Sequence, residues 1–355
     1  MIYLVLVTVI TVVAIAIGFQ SDNSTRNRTF IWISFILIGF LIAFRDKTVG
    51  ADTLNYYNAY LAAANQRIGE GLTRTSSIET GYLLLLQILN HLSNNPQIMF
   101  VFEGILVAAS YGWFICRNTK KIADSYIAIM AYLAFNLFSF QLTGYRQALA
   151  MAVCMFAYYF LEKRKLFSFL LIIIIAAQFH ASAYFFIPAY FISMGKATKK
   201  KRRLIFLSGV LILSRLSYFN NAMSLISDRY DKYGIEETGN GMIFFIVLML
   251  ILLAGEYYKN CIICREYEET IVNVSDVYFS LNYITCLLWF LRLFTRTAER
   301  ACLFYIPATS IVLKEIARIG ILRMYNRDVT RVVISLVLFV LFIHRMQGIP
   351  YKFCF

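Results

Sequence analysis

Arg146 closes the run Leu142-Thr143-Gly144-Tyr145, and His180 closes Gln178-Phe179, each at a turn between two apolar stretches. Ionisable side chains beside hydrocarbon are costly and rare, so such positions mark sites. A cation gains nothing from the positive end of a helix. Arg146 together with the helix start at Gln147, however, forms a double donor for phosphate oxygens. His180 suits proton transfer or donation to a phosphate; the plainer alternative is a hydrogen-bonding turn histidine. Arg292, Arg296 and Arg300 are spaced i, i+4, i+8 and share a face if the segment is helical, with Glu299 three residues after Arg296. Three like charges in one row repel, and a bound polyanion would relieve them.

Further polar groups cluster in the same sequence neighbourhoods. Between Arg45 and Thr53, Gly50 permits a tight turn and Asp52-Thr53 can cap a helix over 54–64. That segment is either an ordinary capped interfacial helix, or Arg45 meets an anionic ligand while Asp52 acts as base or orienter. Glu79, just ahead of Gly81-Tyr82, either favours a helix start electrostatically or serves as a general base whose pKa the membrane surface raises. Arg229 adds a cation, and Tyr56 and Tyr230 add rings that pack on sugars.

The elements that position these groups are membrane helices. Of 355 residues 60% are hydrophobic and only 15% charged, with mean hydropathy +0.65. Soluble domains do not have this composition, whereas polytopic membrane proteins do. A crossing helix needs about 20 apolar residues. About twelve spans are expected, near 2–19, 29–45, 97–115, 122–141, 147–161, 166–179, 181–194, 204–219, 241–258, 276–292, 299–317 and 329–346. The all-α chain reads as one membrane domain over 1–355 with external segments 46–96 and 220–240. Residues 1–19 lack a basic start and a cleavage site, and read as a retained span.

Loop charge sets the orientation. Basic loops at 117–121, 163–165, 196–203, 259–265 and 314–331 belong in the cytoplasm. Satisfying all of them requires 81–94 to be interfacial or re-entrant. Both termini then lie outside, as do Arg45, Asp52, Glu79, Arg146, His180, Arg229 and the three arginines from Arg292 to Arg300.

The excess of 34 Lys+Arg over 20 Asp+Glu is mostly this loop charge, which argues against nucleic acid as a partner. Seven cysteines are scattered, and Cys261-x-x-Cys264 lacks a second ligand pair. With only three histidines, no catalytic metal or other cofactor is expected.

The ordered set Arg45-x-x-x-Val49-Gly50-x-Asp52-Thr53-x-x-Tyr56, Glu79-x-Gly81-Tyr82, Arg146-Gln147-x-Leu149-Ala150 and Phe179-His180-x-Ser182 resembles the EpsG family of Wzy-like exopolysaccharide polymerases. The resemblance is most specific over residues 40–195, with Arg300 and Tyr305 similar further on. It implies a glycosyltransferase of the bacterial cell (inner or plasma) membrane, serving exopolysaccharide, capsule or O-antigen synthesis. Such an enzyme moves a growing glycan from polyprenyl pyrophosphate to a lipid-linked repeat unit outside the cytoplasm. It uses no cofactor or metal, and its partners are the lipid-linked oligosaccharide, the bilayer, and the pathway's flippase and chain-length regulator.

In that chemistry Arg146 and Arg300 would hold the pyrophosphate, and His180, Glu79 or Asp52 would handle the acceptor's proton. Two other classes use similar groups. A lipid-linked oligosaccharide flippase would line a path through the membrane, where Glu103, Arg215 and Glu256 stand. A sugar O-acyltransferase would need a carboxylate activating His180.

Overall fold

A backbone in hydrocarbon must satisfy its polar groups internally, and helices do so within one segment. In the computed structural model, residues 1–64, 78–215, 241–263, 269–319 and 327–355 are described, and among them every regular element is a helix. An antiparallel bridge pairs Arg45 with Phe353. Ser24–Ala43 (α2, after α1 at Ile2–Ile17) begins at Asn23, whose side chain accepts from the amides of Thr25 and Arg26. α2 packs along α5 (Gln97–Asn118), and the two cross at Gly39 and Gly104. A methyl group on Gly39 would come within 2.7 Å of the Gly104 carbonyl oxygen. Small residues at a crossing let membrane helices touch backbone to backbone, where dispersion rather than the hydrophobic effect drives association.

At the end of that crossing Arg45 donates to Glu103 at 2.7 Å and to the Ile42 carbonyl at 2.7 Å, and its guanidinium lies 4.1 Å from the centre of the Phe100 ring. Both partners are buried, so neither charge is left bare. The chain's last residues fasten here too. Cys354 N–H donates to the Phe44 carbonyl at 3.0 Å, and Asp46 N–H to the Lys352 carbonyl at 2.9 Å.

Three helices are long and apolar enough to cross a bilayer, namely Ser24–Ala43, Gln97–Asn118 and Asp328–Met346, the last within α16 (Arg327–Met346). Shorter apolar helices accompany them at Ile2–Ile17, Ile122–Ala134, Leu166–Ala177, Ala181–Ile192 and Met242–Tyr257. Among the described residues, three clear crossings and several shorter apolar helices stand where about twelve spans are expected. Several apolar runs that read as single crossings are interrupted.

The run 122–141 splits at Asn136, which takes the left-handed conformation (φ 68°) between α6 (Ile122–Ala134) and α7 (Leu137–Gln141). The run 181–194 becomes a 3-10 segment, Ala181–Phe186, followed by α10 (Pro188–Ile192), whose proline opens the helix. Helix α13 (Glu269–Arg292) stops at Arg292. A seven-residue helix, α14 (Arg296–Cys302), follows, then a turn at 303–305, then α15 (Ile306–Ile319) with Pro307 in its first turn. Asparagine tolerates the left-handed region and proline cannot continue a preceding helix, so both signals lay inside runs where hydropathy is blind to them.

The two ends of the bundle differ chemically. At one end Arg117 pairs with Glu162 at 2.9 Å, Lys314 donates to the Asn118 carbonyl at 2.7 Å, and Arg331 meets Asp124 at 3.2 Å, so these three cations gather there. The other end holds Arg45, α3 (Thr53–Ala63), α4 (Thr80–Leu92), and the start of α8 (Tyr145–Glu162). Glu79 at the head of α4 contacts Arg146, and Gln97 just beyond its tail donates to the Ala43 carbonyl at 2.6 Å. Both ends of α4 therefore lie at the same end of the bundle. At about 20 Å it is also too short to cross. The element expected over 81–94 is present as this helix, Thr80–Leu92.

Gly39→Leu will force the α2–α5 crossing apart, at a cost of about 1–3 kcal/mol. It should lower the melting temperature of detergent-extracted protein, whereas Gly348→Ala, where an added methyl meets nothing within 4 Å, should leave it unchanged. Equal melting of both variants would sink this account of the crossing.

Candidate active site

The loop before α3 is shaped by one glycine. Gly50 sits at φ +92°, and a methyl there would collide with the Leu142 carbonyl. Thr53 Oγ1 donates to the Val49 carbonyl and also reaches the Leu142 carbonyl at 3.1 Å. Val49-Gly50-x-x-Thr53 is thus seated on the turn that delivers Arg146. The expected cap by Asp52 is not formed. Its residue stands at the cap position, but its side chain makes no cap bond, because the backbone there is already helical (φ −102°, ψ −1°) rather than extended. The Asp52 carboxylate is exposed, and its charge acts on the Tyr56 hydroxyl.

Arg146 is buried and paired with Glu79. The second oxygen of Glu79 accepts the Ala181 amide at 3.1 Å, so one carboxylate ties α4 and α8 to the 3-10 segment. The Tyr82 amide donates to the Gln178 carbonyl at 2.9 Å, and Gly81 lets α4 press against Gln178 closely enough to exclude a side chain. Arg146 lies 5.5 Å from the centre of the Tyr82 ring, and its guanidinium also hydrogen-bonds the Tyr56 hydroxyl. Burial pushes that hydroxyl up from its ordinary value of 10, against the pull of Arg146, so it stays protonated.

His180 follows α9 (Leu166–Ala177) in extended backbone. Its Nδ1 accepts the Ser182 amide at 3.2 Å and lies 2.7 Å from the Ser182 hydroxyl. An amide can only donate, so Nδ1 carries the lone pair and the neutral ring keeps its proton on Nε2. Burial first, then the charges of Arg146 and Arg300, push the imidazole well below its ordinary 6.5. The ring is therefore neutral at physiological pH and offers Nε2–H as a donor. Of the two roles open to His180, donation to an anion fits this geometry better than proton acceptance.

The row of three arginines does not survive the break in the helix. Arg292 ends α13 and pairs with Glu299 at 3.1 Å, while Arg296 and Arg300 belong to α14. Glu299 thus serves Arg292 rather than Arg296, because the extended backbone at Thr295 turns α14 out of line. Arg300 joins Arg146 near His180 and Tyr56, where the charges of both arginines act on each group. The Arg300 carbonyl accepts from Gln147 Nε2 at 2.9 Å.

The structure therefore brings together Asp52, Tyr56, Glu79, Arg146, His180 and Arg300. Arg45 is held apart by Glu103, and Arg292 by Glu299. Arg229 and Tyr230 lie outside the described residues. Sequence reasoning missed Gln147, Gln178, Ser182 and Asn136 as positioning groups. Ser182, two residues after a turn histidine, is the one with a readable signal, since that spacing suits a local side chain–backbone bond.

A family model described as the EpsG family matches residues 28–353. The chain belongs to the EpsG family. Membership points to a membrane protein of exopolysaccharide synthesis with polymerase activity, and all the gathered residues fall within the matched EpsG region. No curated protein and no solved structure matches this EpsG-family chain.

The folded protein holds His180 below 6.5, so the unfolded chain takes up the proton first as pH falls. His180 thus costs no stability above that value, and its cost grows as pH drops beneath it. The melting temperature of His180→Asn should fall less than that of the native protein between about pH 7.5 and 5. An equal fall would contradict the buried neutral ring.

Proposed function

We propose that this EpsG-family protein is a polysaccharide polymerase acting at the outer face of the bacterial cell membrane. It transfers a growing glycan from polyprenyl pyrophosphate to a lipid-linked repeat unit. The observation that carries the reading is the convergence of Arg146, Arg300 and a neutral His180 at one end of the bundle, beside an exposed Asp52.

In the reaction, the bond between the anomeric carbon and the pyrophosphate oxygen breaks, and a bond from that carbon to an acceptor hydroxyl forms. Negative charge builds on the departing pyrophosphate. Arg146 and Arg300 meet it with permanently charged guanidinium forks, and His180 adds a neutral donor through Nε2–H. Electrostatic stabilisation of this kind does the work that a divalent ion does elsewhere. The acceptor proton goes to Asp52, because both Glu79 oxygens are already engaged, by Arg146 and by the Ala181 amide.

Glu79 holds Arg146 through Nη1 and so fixes it at the site before substrate arrives, leaving other guanidinium N–H groups for the phosphate. The Tyr56 hydroxyl, on which Arg146 acts, adds a second partner that orients it. The carboxylates that a transport path would require are already paired: buried Glu103 with Arg45, and half-buried Glu256 with Arg202 at 3.0 Å. This favours an enzyme over a flippase.

A deletion strain, with lipid-linked glycans and surface polysaccharide extracted together, tests the reading. Single repeat units should accumulate on the outer leaflet while long polymer disappears. Units trapped on the cytoplasmic leaflet would make the protein a flippase, and normal polymer lacking acyl groups would make it an acyltransferase.

Arg146→Ala and Arg300→Ala should each reduce polymer at least about 100-fold, as expected for removing a charge stabiliser of the transition state, while the protein remains inserted. Asp52→Asn should lower turnover without weakening substrate binding. Normal polymer in both arginine variants would refute the site.

A further inference from the structure

Helix α14 has seven residues and lies between extended backbone at Thr295 and the turn at 303–305. So short a helix has little stability of its own, and its location depends on side-chain ties. Glu299, the residue just before Arg300, supplies two of them. One of its oxygens accepts Asn136 Nδ2 at 2.8 Å and the other accepts Arg292 Nε at 3.1 Å. Asn136 is itself fixed, with its backbone in the left-handed region (φ 68°) and its Oδ1 accepting from Ser139 Oγ at 2.6 Å. Arg292 lies 5.7 Å from the centre of the Trp289 ring, and Trp289 is anchored through its indole N–H on the Gly241 carbonyl at 2.9 Å. A single carboxylate thus joins the break between α6 and α7, the end of α13, and α14. From the far side, Gln147, next to Arg146, donates to the carbonyl of Arg300 itself.

We propose that Glu299 is a positioning residue for the pyrophosphate site, holding α14 so that Arg300 stands beside Arg146. It touches no substrate and takes no proton, since both of its oxygens are spent on Asn136 and Arg292. Gln147 completes the clamp by tying the Arg300 backbone to the helix that carries Arg146. Two arginines that share one polyanion repel each other when it is absent, so rigid anchoring of each is what keeps the pair ready. The inference rests on the reading of Arg300 as a phosphate ligand.

The test is a double-mutant cycle on the purified full-length protein in nanodiscs, with farnesyl pyrophosphate as the probe. Glu299→Ala should weaken binding about tenfold, close to the effect of Arg300→Ala, and the double variant should bind no more weakly than Arg300→Ala alone. Glu299→Gln keeps an acceptor oxygen and should recover most of the affinity. Loss through general misfolding would instead add to the loss from Arg300→Ala.

Asn136→Gly preserves the left-handed backbone while deleting one tie. It should show the same non-additivity, and it carries the test if Glu299→Ala does not fold. Additive losses, or no loss from Glu299→Ala and Asn136→Gly where Arg300→Ala weakens binding, would overturn the positioning role. No loss from Arg300→Ala would overturn the underlying site instead.

Discussion

The geometry of the site depends on the Arg146–Glu79 ion pair more than on any other contact. Arg146 enters on α8 and Glu79 on α4, and the second Glu79 oxygen reaches the Ala181 amide beside His180. Three separate chain segments therefore meet in one charge-assisted network. A buried pair of this kind is no general source of stability, because desolvation offsets much of the Coulomb gain. Its value lies in geometry, since breaking it leaves an uncompensated charge and the network tolerates no slack. The Tyr56 hydroxyl and the Tyr82 ring complete the enclosure of the guanidinium.

Around this network the fold uses interrupted helices. Continuous helices carry their backbone bonds internally and present only side chains, whereas a break exposes amides and re-aims short segments. The breaks at Asn136, between His180 and Pro188, at Thr295 and at 303–305 lie in elements that contribute to or adjoin the site. The uninterrupted helix α5 braces the site instead, the Tyr145 hydroxyl next to Arg146 donating to the Met99 carbonyl at 3.2 Å. α2 and α5 contribute the close Gly39–Gly104 contact and the Arg45–Glu103 pair, which hold the scaffold under the loop that ends in Gly50.

Much of the site was legible in the sequence for a physical reason. A charge next to hydrocarbon is expensive, so Arg146 and His180 stand out against an apolar background, and the glycine at 50 marks a turn whatever surrounds it. The helical class was legible as well, from composition. What hydropathy could not convey was where a helix stops, since Asn136, Pro188 and Pro307 interrupt runs that remain apolar throughout. That blindness produced the apparent arginine row. Partner choice was equally hidden. Arg45 sits in a motif beside Asp52, yet its carboxylate comes from Glu103, 58 positions later, and no local spacing encodes a contact made by packing two helices.

The tail that fastens near Arg45 uses a different kind of address. Residues 352 and 354 are held through a carbonyl and an amide, by Asp46 and Phe44, while the Phe353 ring between them packs on Phe40. The backbone part of such a seam is indifferent to spelling: the letter at 354 can change while the stitch holds. The exception is proline at 354, whose ring removes the N–H that the Phe44 carbonyl receives.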